Sequence, residues 1–282
     1  MGDQEYQNLL QQFKGQILPQ DHRATVTVQR VGHRIYQAAQ EFTKEHANEG
    51  TSSQSRGPSR TTISSPPTFT VVRSEMANAF VLPNNHIFVM TGLFRYARTE
   101  EELASVLGHE MAHNLARHVG EKVSGNLVVQ IVARMSLLID PSGSLMMLIL
   151  PAANLLRELP HSRIQELEAD QIGMHLAARA CYDPAAAKTV FTRMKLDEGN
   201  ARSGGLTPPE FLSTHPSHDS RLGKMDDWIP EARKELDREG GEPCKRIRRD
   251  IEVARRIAAQ RAAERERSMF VSPTSGAGRR TV

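Results

Sequence analysis

Residues 107–118 read LGHEMAHNLARH, and the fold hangs on whether they form a helix. Thr99 followed three residues later by Glu102 is a capping-box pair, which predicts a helix starting near Glu100 and running to about Val119. Leu103, Ala104, Val106 and Leu107 make it a core helix. On such a helix residues i and i+4 lie nearly above one another, so His109 and His113 aim both imidazoles at one point. Glu110 lies about a third of a turn away, close enough to reach a metal-activated water without being a ligand itself. Two histidines and a glutamate on a core helix are costly to bury without a partner, which favours a metal over simple helix polarity.

Working outward, a catalytic zinc site needs a third protein ligand and an open position. His118 is too far round the helix and reads as a surface or capping residue. Glu166 and Asp170 are four apart on a second expected helix, 162–180, so both carboxylates face one way. Glu166 is the candidate third ligand. Asp170 is the candidate acceptor for the free N–H of a ligand histidine, a contact that fixes tautomer and orientation. Glu168 points elsewhere, and Gly173 permits a close helix approach.

Before the motif, Thr68–Val72, Ala79–Leu82 and His86–Met90 read as strands, with Pro83-Asn84-Asn85 as a turn, so a small antiparallel sheet is expected. Two helices separated by Pro19 precede it. Residues 46–67 are poor in apolar side chains and read as a flexible surface loop. Residues 127–156 are the most apolar part, two arms broken at Asp140-Pro141-Ser142-Gly143. Each arm is shorter than the roughly 20 residues that span a bilayer. They read as a buried helical hairpin or as a surface lying against a membrane or partner.

Net charge is +3 over 282 residues, but the chain from Glu242 onward carries eleven Lys/Arg against five Asp/Glu. The basicity therefore belongs to a charged helix and tail, 242–282, while 1–241 reads as the functional domain. Arginines in that helix alternate with acids and lack aromatic residues, which argues against nucleic acid as a partner. Cys181 and Cys244 are the only cysteines, giving no disulfide framework and no Cys-based zinc cluster; a reduced compartment, or one where disulfides are optional, is expected. The start has no apolar leader of a secretory signal and no Arg-rich transit character.

Four motifs in this order, NAFVLPNNHIFVMTGLF, HEMAH, SRIQELEADQIG and STHPSHDSRL, resemble the gluzincin peptidases of the HtpX and CAAX prenyl protease type. Within that family the chain is most similar to a mitochondrial inner-membrane branch, over roughly Glu5 to Asp227. The resemblance implies an α+β, mainly α-helical, zincin-like fold with the small sheet beside the HExxH helix. It implies one Zn2+ per chain on His109, His113 and Glu166, with Glu110 as general base and Asp170 behind a ligand histidine. His215 and Arg221 would sit near the open side of the metal, stabilising the oxyanion or positioning substrate. Asn78, Ala79 and Phe80 would hold an extended substrate by main-chain hydrogen bonds. The implied activity is metalloendopeptidase, in protein quality control or stress-regulated processing at the mitochondrial inner membrane. Partners would be protein or peptide substrates, membrane proteins among them, with membrane contact through 127–156 and a homo-oligomer left open. The rival is a catalytically silent zinc-binding scaffold or chaperone at a membrane. Asn84-Asn85 stands where the family commonly has glycines, and Cys181 replaces a usual glycine.

Overall fold

Val28, Val31, Ile35 and Ala38, spaced as one helix face, are all buried in the fold. The computed structural model describes residues 2–49, 66–82, 84–116, 163–204, 211–212, 215, 219–238, 244–253, 256 and 260. Most of the expected loop 46–67, the apolar arms 127–156, His118 and the tail beyond 260 lie outside these residues. The chain divides into two compact units, Met1–Glu239 and Gly240–Val282.

In the first unit, α1 (Gly2–Gln12) and α2 (Arg23–Glu49) precede three strands, β1 (Thr68–Val72), β2 (Ala79–Val81) and β3 (His86–Met90). A 3-10 turn over Thr91–Arg95 leads into α3 (Glu100–Leu115). Then follow α4 (163–179), α5 (Ala186–Gly204) and α6 (Asp219–Arg238). In the second unit α7 covers 244–253, with Cys244 and Ile251 buried and most of its other side chains exposed.

The sheet order is β1-β3-β2, and it is mixed rather than antiparallel throughout. β2 and β3 form the expected antiparallel hairpin, but β1 runs parallel to β3, pairing Thr68 with His86 through Val72 with Met90. The hairpin turns its β3 side towards β1, which leaves β2 as an edge strand among the described residues. Strand alternation then sorts the side chains. Val72, Phe88 and Met90 meet Tyr6, Leu9, Leu10 and Phe13 around α1. Phe69 points the other way, onto α2, where a Cβ at Gly32 would lie 2.2 Å from its ring. That contact requires glycine.

Asn85 takes the left-handed φ of 64° that the hairpin needs, so asparagine serves where glycine is usual. Cys181 does the same at the end of α4, at φ 68°. Tyr182 N–H donates to Ala177 O (2.9 Å) and Cys181 N–H to Ala178 O (3.0 Å), a Schellman ending. Neither cysteine is a free thiol, so of the two expected settings the one where disulfides are optional fits. Among the described residues, no helix is long and apolar enough to cross a membrane.

α3 is the centre of the first unit. Its capping box is formed: Thr99 Oγ1 accepts from Glu102 N–H, and Glu102 Oε2 accepts from Thr99 N–H, both at 3.2 Å. Arg193 of α5 adds a half-buried cation to Glu102 at 3.1 Å, fixing the helix start. Every residue from Glu102 to His113 is buried, so α3 is apolar in surroundings all round and its few polar groups stand out. It ends at Leu115, short of the expected Val119, as Ala116 leaves helical geometry.

Candidate metal centre

α3 and α4 cross at two glycines. A Cβ on Gly108 would lie 2.8 Å from Gly173 O, and one on Gly173 would lie 2.8 Å from His109 N. Only this approach brings Glu166 and Asp170 of α4 against the two histidines of α3. His109 Nε2 lies 3.1 Å from His113 Nε2 and 3.4 Å from Glu166 Oε2. Glu166 Oε1 lies 3.4 Å from His113 Nε2. His215 completes the cluster: its Nδ1 is 3.2 Å from His109 Nε2 and 3.1 Å from Glu166 Oε1. One donor atom from each of the four residues falls within 4.8 Å of the others, and all four residues are buried.

Three observations fit this cluster to a divalent cation. Tetrahedral donors about 2.0–2.1 Å from zinc are about 3.3 Å apart, and five separations here fall between 3.1 and 3.4 Å. Three imidazole nitrogens also face one another, an arrangement that repels unless a cation or protons lie between them. Finally, among the described residues the buried carboxylates Glu110, Glu166 and Asp170 face only one permanent cation, Arg221. With neutral imidazoles the pocket carries two uncompensated negative charges, the complement of a dication.

Asp170 Oδ1 lies 3.0 Å from His109 Nδ1, the ring nitrogen on the far side from the donor cluster. Arg221 is placed differently from the sequence reading. Its side chain is 2% exposed and grips both Asp170 oxygens at 2.7 and 2.8 Å. The same guanidinium reaches Glu166 Oε2 and His215 O at 3.2 Å each and lies 4.6 Å over the Phe191 ring. A planar fork matches a carboxylate in two parallel bonds, and a buried charge must be paired, so Arg221 sits behind the site and holds its acids. His215 also departs from expectation: its Nδ1 occupies a corner of the donor cluster, while its Nε2 lies 3.3 Å from Glu110 Oε1.

The acids titrate in opposite directions. Burial pushes Glu166 up, but His215, His109 and His113 outweigh it and hold the carboxyl well below its usual range. Asp170 is lowered too, burial being outweighed by Arg221 and His109. Glu110 is raised, mainly by burial, against weaker pulls from His215, His109 and a hydrogen bond from the Val81 main chain. Among the described residues its Oε1 accepts no hydrogen bond, although His215 Nε2 stands 3.3 Å from it. A carboxyl raised by burial, with one oxygen uncommitted, is suited to taking and returning a proton.

Val81 places the sheet edge beside this group. Met90 N–H donates to Asn78 O (2.9 Å) and Leu82 N–H to His86 O (2.8 Å), so Asn78 and Phe80 turn their main-chain groups inward to β3. Of the three residues expected to hold a peptide, Ala79 alone turns its main chain to the outer edge. Ala77 and Val81, which the sequence reading left out, share that edge. Phe211 was missed as well. It is fully buried, stacks on His215 at 4.5 Å, and its N–H donates to Ala77 O at 2.9 Å. Its sole sequence signal is a position four residues before His215.

Fold and site define a class: a buried His/Glu metal centre on crossed helices, with an acid and a sheet edge alongside, the layout of a metal-dependent peptidase. The model described as Peptidase family M48 matches residues 54–229, and the chain belongs to that family. It is 42% identical over 163 residues to the "Mitochondrial metalloendopeptidase OMA1" of Schizosaccharomyces pombe, covering 57% of this chain and 46% of the relative. It is 33% identical over 245 residues to the "Metalloendopeptidase OMA1, mitochondrial" of Bos taurus, covering 83% and 43%. A "Beta-barrel assembly-enhancing protease" of Yersinia pestis is 30% identical over 168 residues, covering 55% and 32%. The chain thus spans less than half the length of each of these relatives.

Proposed function

We propose that the chain is a zinc-dependent endopeptidase acting in mitochondrial protein quality control or stress-regulated processing at the inner membrane. The observation that carries this reading is the convergence of His109, His113 and Glu166 donors directly beside Glu110, a buried acid with an uncommitted oxygen. The mitochondrial location rests on the names of the OMA1 relatives, and the membrane setting on family resemblance.

In this reading His109, His113 and Glu166 hold the ion, which when bound supplies Lewis acidity toward the scissile carbonyl. Glu110 takes a proton from the attacking water and returns it to the leaving amine. Asp170 holds the His109 ring from its other nitrogen, and Arg221 keeps Asp170 and Glu166 ionised and in place. The outer edge of β2 lays the substrate out as an added strand alongside Glu110, exchanging main-chain hydrogen bonds. His215, standing next to Glu110, moves aside as substrate enters and then contacts the developing oxyanion. The substrates are extended or unfolded protein segments, those of membrane proteins included.

The test pairs metal content with cleavage. Zinc-loaded protein should cleave casein or an unfolded membrane protein, chelator should stop it, and Glu166→Gln should lose zinc on dialysis. Cleavage that survives chelation sinks the mechanism. Full zinc retention by Glu166→Gln removes that residue from the ligand set. Zinc binding without any cleavage favours the silent scaffold.

A further inference from the structure

We propose that Phe211 holds, in this state, the main-chain place that a substrate strand takes on the outer edge of β2, so that substrate must displace Phe211 and with it His215. The inference rests on the peptidase reading above and specifies how its site opens. The outward-facing main-chain groups run Ala77, Ala79, Val81, and the last of these already bonds Glu110. An extended peptide pairing along this edge needs the carbonyl of Ala77. Phe211 N–H occupies that carbonyl at 2.9 Å.

The same residue controls His215. The His215 N–H donates to Phe211 O at 2.8 Å, one turn away, and the two rings stack with centroids 4.5 Å apart and planes at 27°. Phe211 is itself wedged between Phe191, at 6.0 Å, and His109, at 5.9 Å between ring centroids. Edge contact and imidazole placement therefore belong to one unit. When Phe211 leaves Ala77, His215 goes with it, held by the bond to Phe211 O and by the ring stack, and the corner beside Glu110 is released. Substrate binding and site opening become one event, so a peptide too short to pair at Ala77 opens the site poorly. Phe211 acts as a positioning residue through His215, not as a group that touches the reacting atoms.

The experiment uses the zinc-loaded full chain and a peptide that the wild type cleaves, remade with its scissile amide reduced to a secondary amine. Residue-resolved amide hydrogen exchange should show the Phe211 N–H protected in the free protein, and exchanging at least about tenfold faster at saturating peptide. Peptide that binds while Phe211 keeps its protection overturns the proposal and leaves the peptidase reading intact. A wild type that cleaves no peptide at all overturns the peptidase reading, and this proposal with it. As a second readout, Phe211→Ala should lower KM for the long peptide about fivefold without lowering kcat, because less of the protein is held in the occupied state. A merely structural role would raise KM or lower kcat instead, and that result also counts against the proposal. Phe211→Leu, which keeps the buried bulk without the ring stack, should move KM in the same direction and guards against misfolding of the alanine variant.

Discussion

The two faces of α4 both carry buried charge, yet they do opposite things. On the outer face Arg179 pairs with Glu45 and Glu235, and His175 pairs with the same Glu235. These groups, with Arg238 near Glu45, bridge α2, α4 and α6 along a cleft of about 520 Å3. Glu45 and Glu235 each have a cation. On the inner face, among the described residues, three carboxylates and three imidazoles share the single cation Arg221. A network whose charges cancel holds helices together. One whose acids outnumber its cations, with ligand atoms all aimed at one point, is built for something it does not itself contain. Burial alone does not separate the two, because Arg179 and Glu235 of the outer network are shielded as well, although Glu45 and Arg238 reach water. The balance and direction of the polar atoms do.

The sharpest way to break this contrast is to remove Glu110, the inner acid proposed as base and not as ligand. Glu110→Gln should lower kcat by about 10²–10⁴-fold while zinc content by elemental analysis stays at wild-type level, since the base is lost and the donors remain. Near-normal turnover would return Glu110 to the status of a buried structural acid. Next in size, Asp170→Asn should weaken zinc affinity about 10–100-fold in a chelator competition, because it loosens the His109 ring and frees Arg221. Unaltered affinity would mean that His109 is oriented without it.

On the outer face the expectation reverses. Glu235→Gln should cost about 1–3 kcal/mol in urea unfolding, yet leave zinc affinity unchanged. Its pH dependence has a definite sign. Burial pushes the Glu235 carboxyl up, but His175 and Arg179 outweigh it and leave it below the usual carboxylate value of 4.5. Its contribution is therefore present above about pH 4.5 and lost as pH falls through the lowered value. The wild type should accordingly lose stability over that acid range more steeply than Glu235→Gln does, and parallel curves would refute the assignment. Smallest of all, Arg30→Ala removes the exposed half of the Arg30–Glu100 pair at the start of α3 and should cost no more than about 1 kcal/mol in the same assay.

Much of the inner face was legible before any coordinates. The capping pair Thr99/Glu102, the i/i+4 spacing of His109 with His113 and of Glu166 with Asp170, and the small residue Gly173 each encode a local geometry that a helix enforces by itself. The turn at Asn85 was legible for the same reason, since φ preference belongs to the residue. The outer network was not legible. Glu45, His175, Arg179 and Glu235 lie on three helices with no spacing rule connecting them. The parallel pairing of β1 with β3 escaped too, because alternation in a strand does not say which neighbour it takes or in which direction.

His215 and Arg221 mark the boundary most clearly. Their sequence spacing pointed to the site, but not to the side of it each would occupy. Arg221 went behind the acids because a buried guanidinium must find carboxylates, and His215 went among the donors because Phe211 stacks on its ring. Periodicity, caps and turns act within a few residues, so the sequence by itself determined the helices, the hairpin and the two ligand-bearing faces. Charge balance, the glycine crossing of α3 with α4 and the edge of β2 that faces Glu110 depend on segments far apart in the chain. Desolvation and packing are settled only when those segments meet, which is why the tertiary structure alone decided them.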